Sequence, residues 1–193
     1  MTVTRERAAR ALGSPAIKWG AEPRTEDGYA FHRKASARVS ASPEGVFERL
    51  DDQSRLAEHM ARSSAMMGGG RMTYAFDEAQ GRAVGSVIRM GGVAFGLQLS
   101  VEEVVTEHDP PRRKAWRTLG EPQLVIIGRY AMGFEIRPAS HGSDLTVWIG
   151  YDLPRRGWGR RAPGLAAFYA RWCVRRMVKD AVDHFQAAHA AAR

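Results

Sequence analysis

The sequence predicts an α+β fold in which a curved antiparallel sheet of about seven strands wraps around one long C-terminal helix. Two observations carry this prediction. The middle of the chain is a series of segments with alternating apolar residues, separated by turns rich in Gly or Pro, as expected for strands joined by hairpins. From residue 165 onward the apolar residues follow helical spacing over about 25 residues. Strands with short connections pair antiparallel, and the helix must then cover one face of the sheet.

The first elements are predicted to be a strand and two short helices. Residues 29–41 show weak strand alternation. Ser42 is predicted to cap the next helix, because its side chain can accept a backbone hydrogen bond and Pro43 suits the first helical position. Glu44 then stands in the first turn, where the positive end of the helix favours an acidic residue. A second short helix is predicted over residues 53–61.

Residues 83–104 are predicted to form a hairpin. We place its turn at Gly91-Gly92, since two adjacent glycines suit a two-residue turn. The turn fixes the register of the two strands. The resulting inward pairs are Ile88–Phe95, Ser86–Leu97 and Val84–Leu99.

The two strands before the final helix alternate more strictly and meet at the turn "ASHGS". Pairing them across this turn gives an inward face that is apolar and has two phenols at one end. The predicted pairs are Phe134–Val147, Met132–Ile149 and Tyr130–Tyr151.

The C-terminal helix is predicted to have two different faces. At about 100° per residue, small and apolar residues collect on one face, which we expect to cover the sheet. These residues are Ala166, Ala170, Cys173, Val174, Met177, Val178, Ala181 and Phe185. The other side carries cations together with two aromatic residues: Arg171, Arg175, Arg176, Lys179, Phe168 and Trp172.

Composition bounds the class of protein. With 193 residues, of which 44% are hydrophobic and 26% charged, the chain suits one globular domain that follows an N-terminal extension over residues 1–28. The formal net charge of +8 favours contact with anions. Cys173 is the only cysteine, which excludes an internal disulfide and favours a reducing compartment. No apolar run reaches the ~18 residues of a membrane span and no secretory signal opens the chain, so we expect a cytoplasmic protein.

The motifs of common catalytic and cofactor sites are missing from the sequence. The six histidines are scattered, with no pair at helical spacing, so we predict no metal. The glycine runs at 68–70 and 91–92 lack the Lys and Ser or Thr of a phosphate-binding loop. There is no Gly-x-Ser-x-Gly segment, and Cys173 lies on the apolar helix face, as an inert cysteine would. We therefore predict no cofactor.

Three stretches carry a resemblance to a known superfamily. They are "VSASPEGVFERLDDQSRLAEH", "VVTEHDPPRRKAW" and "YAMGFEIRPASHGSDLTVWIGYDLP", the last of which leads into the terminal helix. In this order they resemble the helix-grip fold of the START / Bet v 1-like (SRPBCC) superfamily, and most closely its bacterial branch of polyketide cyclases, dehydrases and lipid transporters. The resemblance covers roughly residues 29–188. We therefore expect residues 29–193 to form a START/Bet v 1-like ligand-binding domain.

The resemblance implies a deep apolar cavity between the sheet and the C-terminal helix. The protein would bind or transport a hydrophobic small molecule or lipid there. Inward aromatic and apolar residues can line such a pocket, and phenols also offer a hydrogen-bonding group. The candidate ligand-binding residues are Tyr74, Phe76, Ile88, Phe95, Leu97, Trp116, Tyr130, Met132, Phe134, Tyr151 and Trp158.

One alternative is a polyketide-type aromatase/cyclase or dehydratase that acts in the same cavity. That chemistry needs an acid and a base inside the pocket. The predicted inward face offers phenols and Ser86 but neither a carboxylate nor a histidine, and the strand faces of Arg33, Arg89 and Arg129 are predicted to look outward. The catalytic residues are left unassigned, and whether the protein is an enzyme is left open.

A second alternative rests on the arginine-rich segment "PRRGWGRRAP", residues 154–163. Its arginines, together with Phe168 and Trp172, could make a transient contact with an anionic membrane surface. The same residue types also suit single-stranded nucleic acid. No specific nucleic-acid partner is expected. The extension could instead cover the two aromatic residues with Leu12, Ile17 and Trp19. The segment could also be a gate at the cavity mouth, in which Trp158 folds over the ligand and the glycines allow the backbone to move. The competing interpretation is a static loop.

Overall fold

The structure is a computed structural model that describes residues 28–52, 71–94 and 96–191. Within these residues the chain forms seven strands and three helices. The strands are β1 (Phe31–Val39), β2 (Arg71–Phe76), β3 (Val87–Ala94), β4 (Leu97–Asp109), β5 (Arg113–Gln123), β6 (Tyr130–Ala139) and β7 (Gly142–Tyr151). The helices are α1 (Pro43–Asp51), α2 (Trp158–Arg161) and α3 (Pro163–Ala191).

The seven strands form one antiparallel sheet in the order β1-β7-β6-β5-β4-β3-β2. Strands β2 to β7 follow one another as a meander, and the last strand, β7, pairs with the first strand, β1. Helix α3 packs against β1 and β7, so the two ends of the domain meet at one edge of the sheet. This is a helix-grip fold, and it confirms the predicted architecture of a curved sheet around one long helix.

Helix α1 begins at the predicted cap. Ser42 has an extended backbone and its side-chain oxygen accepts a hydrogen bond from the Gly45 N–H at 3.3 Å, with Pro43 as the first helical residue. The buried side of α1 consists of Val46, Phe47 and Leu50. The predicted extension, apart from its last residue, 28, lies outside the described residues. The predicted second helix over 53–61 lies outside them as well.

The two faces of α3 are arranged as predicted. Ala166, Ala170 and Val174 are fully buried in the main hydrophobic cluster, where small side chains let the helix approach the sheet closely. Partly buried residues of the same side, among them Cys173 and Phe185, pack at the margin of this cluster. The four cations of the other side are exposed.

The predicted turn at Gly91-Gly92 is wrong. Both glycines lie inside β3, opposite Ser100 and Leu99, and neither has the positive φ that a two-residue hairpin turn demands. Ala94 pairs with Leu97, and Gly96, between them, has the positive φ of a turn residue, 72°. The predicted inward pairs of this hairpin are therefore wrong as well. In the structure β3 pairs with β4 through Ile88–Glu103 and Met90–Val101, among others.

The last hairpin has the predicted register. Tyr130 lies opposite Tyr151, Met132 opposite Ile149 and Phe134 opposite Val147. All six side chains are buried, and all belong to the main hydrophobic cluster beneath α1 and α3. We call the sheet face that carries this cluster the inner face.

Candidate functional site

A buried carboxyl group lies on the inner face of β4. Along this strand Leu99, Val101 and Glu103 are buried while the intervening residues are exposed, so strand alternation directs Glu103 toward the inner face. Only 5% of Glu103 is exposed. Its cross-strand neighbours are Ile88 on β3 and Thr118 on β5, both buried. A glutamate is rarely buried to this degree without a strong partner.

Glu103 is held by hydrogen bonds rather than by a direct salt bridge. The Tyr130 hydroxyl donates to Glu103 Oε1, and the Trp116 side chain provides a second hydrogen bond. Burial raises the pKa of Glu103 from 4.5 to about 7, against the opposing effect of the two hydrogen bonds and of the Lys114 charge. The carboxyl group therefore changes protonation near neutral pH.

Tyr130 is locked in place by its backbone as well as its side chain. Its N–H donates to Thr118 Oγ1 at 3.3 Å, and the Thr118 hydroxyl lies 3.4 Å from the Tyr130 carbonyl oxygen. These bonds occur just beyond the last paired residues of β5 and β6, Arg117 and Ala131. Burial, followed by the charge of Glu103, raises the pKa of Tyr130 well above its usual value of 10. The phenol therefore stays protonated and remains a hydrogen-bond donor.

Two further tyrosines and the cysteine surround this pair. Burial and then Glu103 raise the pKa of Tyr74 on β2. On α3, the nearby Cys173 thiol is the largest cause that raises the pKa of Tyr169, and Tyr74 and Glu103 also contribute. Burial raises the pKa of Cys173 to about 12, so its thiol is not a nucleophile near neutral pH. Strand and helix thus bring one carboxyl, three phenols and a thiol into a single electrostatic environment.

A second buried polar group joins α1 to the sheet. Lys114 on β5 is 1% exposed, and its Nζ lies 2.6 Å from Asp51 Oδ1 and 3.1 Å from the Asp51 carbonyl oxygen. His108 Nε2 lies 3.0 Å from the same Asp51 oxygen. Burial lowers the pKa of Lys114, and the ion pair with Asp51 opposes this effect. A cation is also favoured here because Asp51 ends α1, where the helix dipole is negative.

The fold agrees with the comparison to known families. The family model described as polyketide cyclase / dehydrase and lipid transport matches residues 31–190. The chain belongs to this polyketide cyclase / dehydrase and lipid transport family. No curated protein sequence matches the chain.

Several solved structures share the fold of this family member. The crystal structure of Ara h 8.0201 aligns with a TM-score of 0.59 at 12% identity, over 81% of this chain and 98% of that chain. TTHA0849 from Thermus thermophilus aligns with a TM-score of 0.58 at 17% identity, over 82% and 99%. The di-domain ARO/CYC BexL from the BE-7585A biosynthetic pathway aligns with a TM-score of 0.56 at 16% identity, over 80% of this chain and 50% of that one. At these identities the likeness concerns the fold.

The predicted ligand-binding residues of this polyketide cyclase / dehydrase family member fall into two groups. Eight of them lie on the inner face and are buried or partly buried: Tyr74, Phe76, Ile88, Trp116, Tyr130, Met132, Phe134 and Tyr151. Leu97, at the start of β4, and Trp158, on α2, are each 44% exposed instead. The side chain of Phe95 is outside the described residues.

Glu103 is the residue that sequence reasoning missed. The predicted inward residues of this strand stop at Leu99, although alternation from Leu99 also turns Glu103 inward. The usable signal was the pair Glu102-Glu103, because adjacent strand residues point to opposite faces. Glu102 forms an exposed ion pair with Arg89 at 2.8 Å, so its neighbour must face inward.

The orientation of the arginines was predicted correctly at two of three positions. Arg89 is exposed, and so is Arg129, which pairs with Asp152 at 2.8 Å. Arg33 was expected to look outward, but the register of β1 on β7 sets it opposite Ile149, a core residue. It is on the inner face, near enough to Tyr151 for its charge to oppose the effect of burial on that phenol's pKa.

The arginine-rich segment is seated closely on the loop before β6. The Gly159 N–H donates to the Val125 carbonyl oxygen at 2.9 Å, and a Cβ atom at Gly159 would lie only 1.8 Å from the Ile126 carbonyl oxygen. Gly157, with φ of 104°, approaches Val125 in the same way. These two glycines are required for close backbone contact, which is a different role from the freedom to move that the gate hypothesis gave them.

The structure offers no obvious place for a metal ion in the residues it describes. Across residues 28–52, 71–94 and 96–191, no group of three or more His, Cys, Asp or Glu side chains is arranged to hold one. No helix in the same ranges is long and apolar enough to cross a membrane.

Proposed function

We propose that the protein binds a hydrophobic small molecule or lipid between the inner face of the sheet and α3. The observation that carries this proposal is the buried Glu103–Tyr130 pair, which lies on an inner face made mostly of apolar residues. A small number of fixed polar groups inside an apolar enclosure is the usual composition of a small-molecule site. The ligand would therefore carry a hydroxyl or carbonyl group that reaches this pair.

The energetics of Glu103 support a binding role. Burial of a carboxyl group costs free energy, and the raised pKa records that cost. An apolar residue of similar size would avoid it if the position served packing alone. A ligand with a polar oxygen would add a hydrogen-bond partner for the pair and offset part of the cost.

The surroundings of Cys173 and Tyr169 support a ligand between sheet and helix. Both residues are only partly buried, so each retains accessible surface. A ligand held beside α3 could contact this surface. They lie on the α3 side of the polar centre, opposite the sheet.

A matched pair of probes tests the proposal. Nile red would report occupancy, and naphthol and methylnaphthalene would compete with it, since they share a ring system but only naphthol has a hydroxyl. We expect both to displace Nile red, and Glu103→Gln and Tyr130→Phe to weaken naphthol about tenfold while methylnaphthalene is unchanged. Glu102→Gln, on the exposed neighbour, is the control. Equal naphthol binding by all variants, or no displacement at all, would reject the proposal.

A second candidate function is acid–base catalysis in the same space. Its specific support is the Glu103 pKa of about 7, because a general acid or base works best with a pKa near the operating pH. The Glu103 carboxylate would take a proton from the carbon next to a ligand carbonyl, and the Tyr130 hydroxyl would hold the carboxylate in position. Proton removal of this kind begins the aldol and dehydration steps that a polyketide-type cyclase requires.

Proton exchange on a simple aryl ketone separates catalysis from binding. With tetralone in deuterated water, NMR would follow deuterium incorporation next to the carbonyl. If Glu103 is the base, exchange is accelerated by the parent, rises with pH through about 7 as the carboxylate forms, and is lost in Glu103→Gln. Glu102→Gln should behave as the parent. No acceleration above the protein-free rate would leave binding as the function.

A further inference from the structure

The side of α3 that faces away from the sheet combines aromatic rings with cations. We define the α3 outer face as Leu165, Phe168, Arg171, Trp172, Arg175 and Lys179. At about 100° per residue these six residues fall on one side of the helix. The buried residues Ala166, Ala170 and Val174 fall on the opposite side. The outer face is therefore separate from the surface that meets the sheet.

Apolar side chains on this face are open to solvent. Phe168 is 49% exposed and Leu165 is 37% exposed. Phe168 and Trp172 form part of a surface groove of about 280 Å³, whose other lining residues are the cations Arg171, Arg175, Arg176 and Lys179. An exposed apolar groove ringed by charge is a common mark of an interaction surface.

The charge around the outer face is strongly unbalanced. Residues 153–179 contain seven arginines, one lysine and no acidic residue, a local charge that equals the formal net charge of +8 of the whole chain. Arg176 and Lys179 pair with Asp180 and Asp183 in the next turn of the helix. Arg171 and Arg175 form no ion pair with any part of the chain that the structure describes. Their charge is available to an external anion.

A second groove extends the outer face toward the sheet. It has a volume of about 410 Å³, lies between β1 and α3, and shares Arg175 and Lys179 with the first groove. Its floor includes the apolar residues Ala35, Val178 and Val182. Two adjoining grooves that combine apolar residues with cations match an amphiphile with an anionic head group better than they match a nucleic-acid backbone, which has no acyl chain to place.

We propose that the α3 outer face docks on the surface of an anionic membrane. Arginines near an anionic bilayer are attracted by its surface potential, and aromatic side chains settle at the level of the head groups. Phe168 and Trp172 would enter the interface while Arg171 and Arg175 contact lipid phosphates. This role uses the side of α3 that the proposed ligand site does not use, so it stands independently of what binds on the inner face.

Vesicle binding by the full-length protein tests the proposal. We expect co-sedimentation with vesicles of equal parts phosphatidylcholine and phosphatidylglycerol, and little with phosphatidylcholine alone. Each arginine near an anionic surface adds about fivefold to the affinity for vesicles. The double variant Arg171→Gln/Arg175→Gln should therefore bind the anionic vesicles roughly 25-fold more weakly than the parent. Phe168→Ser should also weaken binding, and the residual binding should fall as salt is raised. Brominated lipid should quench less tryptophan fluorescence in Trp172→Phe than in the parent.

The matched control is Arg112→Gln/Arg137→Gln, which removes the same charge from exposed arginines outside residues 153–179. If the control loses as much affinity as the outer-face variant, the attraction is a general charge effect and the docking surface is rejected. Binding of the outer-face variant equal to that of the parent rejects it as well. So does a result in which the outer-face arginines matter for a single-stranded oligonucleotide but not for vesicles.

Discussion

The half-buried carboxyl of Asp51 and the buried carboxyl of Glu103 differ in how their charge is balanced. Asp51 is in direct contact with the Lys114 ammonium and with His108, at the junction of α1 and the sheet. Glu103 receives hydrogen bonds from Tyr130 and Trp116, and Lys114 influences it only through its field. The first group is a satisfied ion pair, and the second is a carboxyl whose ionisation is costly.

The difference separates a structural role from a functional one. A buried charge that contacts its counter-charge holds two elements of the fold together. Removal of one partner then lowers the free energy of unfolding of the protein by several kcal/mol. A buried carboxyl held only by neutral donors titrates near neutral pH, and strongly shifted groups of that kind concentrate in functional sites. We therefore assign Asp51 and Lys114 to the fold and Glu103 to the candidate site.

Removal of the Lys114 charge should have the largest effect. Lys114→Met leaves Asp51 partly buried without its counter-charge, and we expect a loss of about 3–5 kcal/mol in the free energy of unfolding, measured with denaturant. The double variant Asp51→Asn/Lys114→Met should lose less, since no lone charge remains. A loss below about 1 kcal/mol in the single variant would mean that the ion pair does not stabilise the contact between α1 and the sheet.

The pH dependence of stability should reveal Glu103. Its pKa is raised from 4.5 to about 7, so between these values the folded protein holds a proton that the unfolded chain has released. Stability of the parent should therefore fall by about 3 kcal/mol relative to Glu103→Gln as pH rises through this window, and the difference should stay constant above it. The free energy of unfolding would be measured with denaturant between pH 4 and pH 8. If it changes with pH in the same way for both proteins, the Glu103 carboxyl lies in a more polar environment than we describe.

Loss of the Tyr130 hydroxyl should have a smaller effect, which depends on the protonation of Glu103. Tyr130→Phe removes a donor to Glu103, so the pKa of Glu103 should rise further and stability should drop by about 2 kcal/mol. The drop should be greater above pH 7 than at pH 5, because the bond is stronger to the ionised carboxylate. Tyr151→Phe is the matched control, a buried tyrosine of the same sheet, and its effect should not follow the titration of Glu103.

The smallest expected effect is at the start of α1. Ser42→Ala removes the side-chain cap and should cost about 1 kcal/mol in denaturant melts. This change loosens the helix that ends at Asp51 without touching Glu103, so the pH dependence attributed to Glu103 should be unchanged. A cost near zero would show that the Gly45 N–H finds another partner when the serine oxygen is absent.

Much of the fold could be predicted because its signals are local. The cap at Ser42 and the two faces of α3 depend on residues within one or two helical turns. The register of β6 on β7 depends on a turn whose sequence, "ASHGS", leaves little choice of position. The β3–β4 hairpin offered glycine at two places, and the sequence does not say which of them adopts positive φ. That choice decides the pairing across the hairpin, and it sets Ile88 opposite Glu103.

Spacing along short stretches of the chain is enough to predict the α+β class, the order of the elements, the cap of α1 and the apolar and cationic faces of α3. Three further features arise only from the packing of distant segments. Glu103, Trp116 and Tyr130 meet at one point, Lys114 neutralises Asp51, and the loop before β6 packs against Gly159. These contacts join residues far apart in sequence, and the burial that shifts the pKa of Glu103 exists only once all the elements have packed.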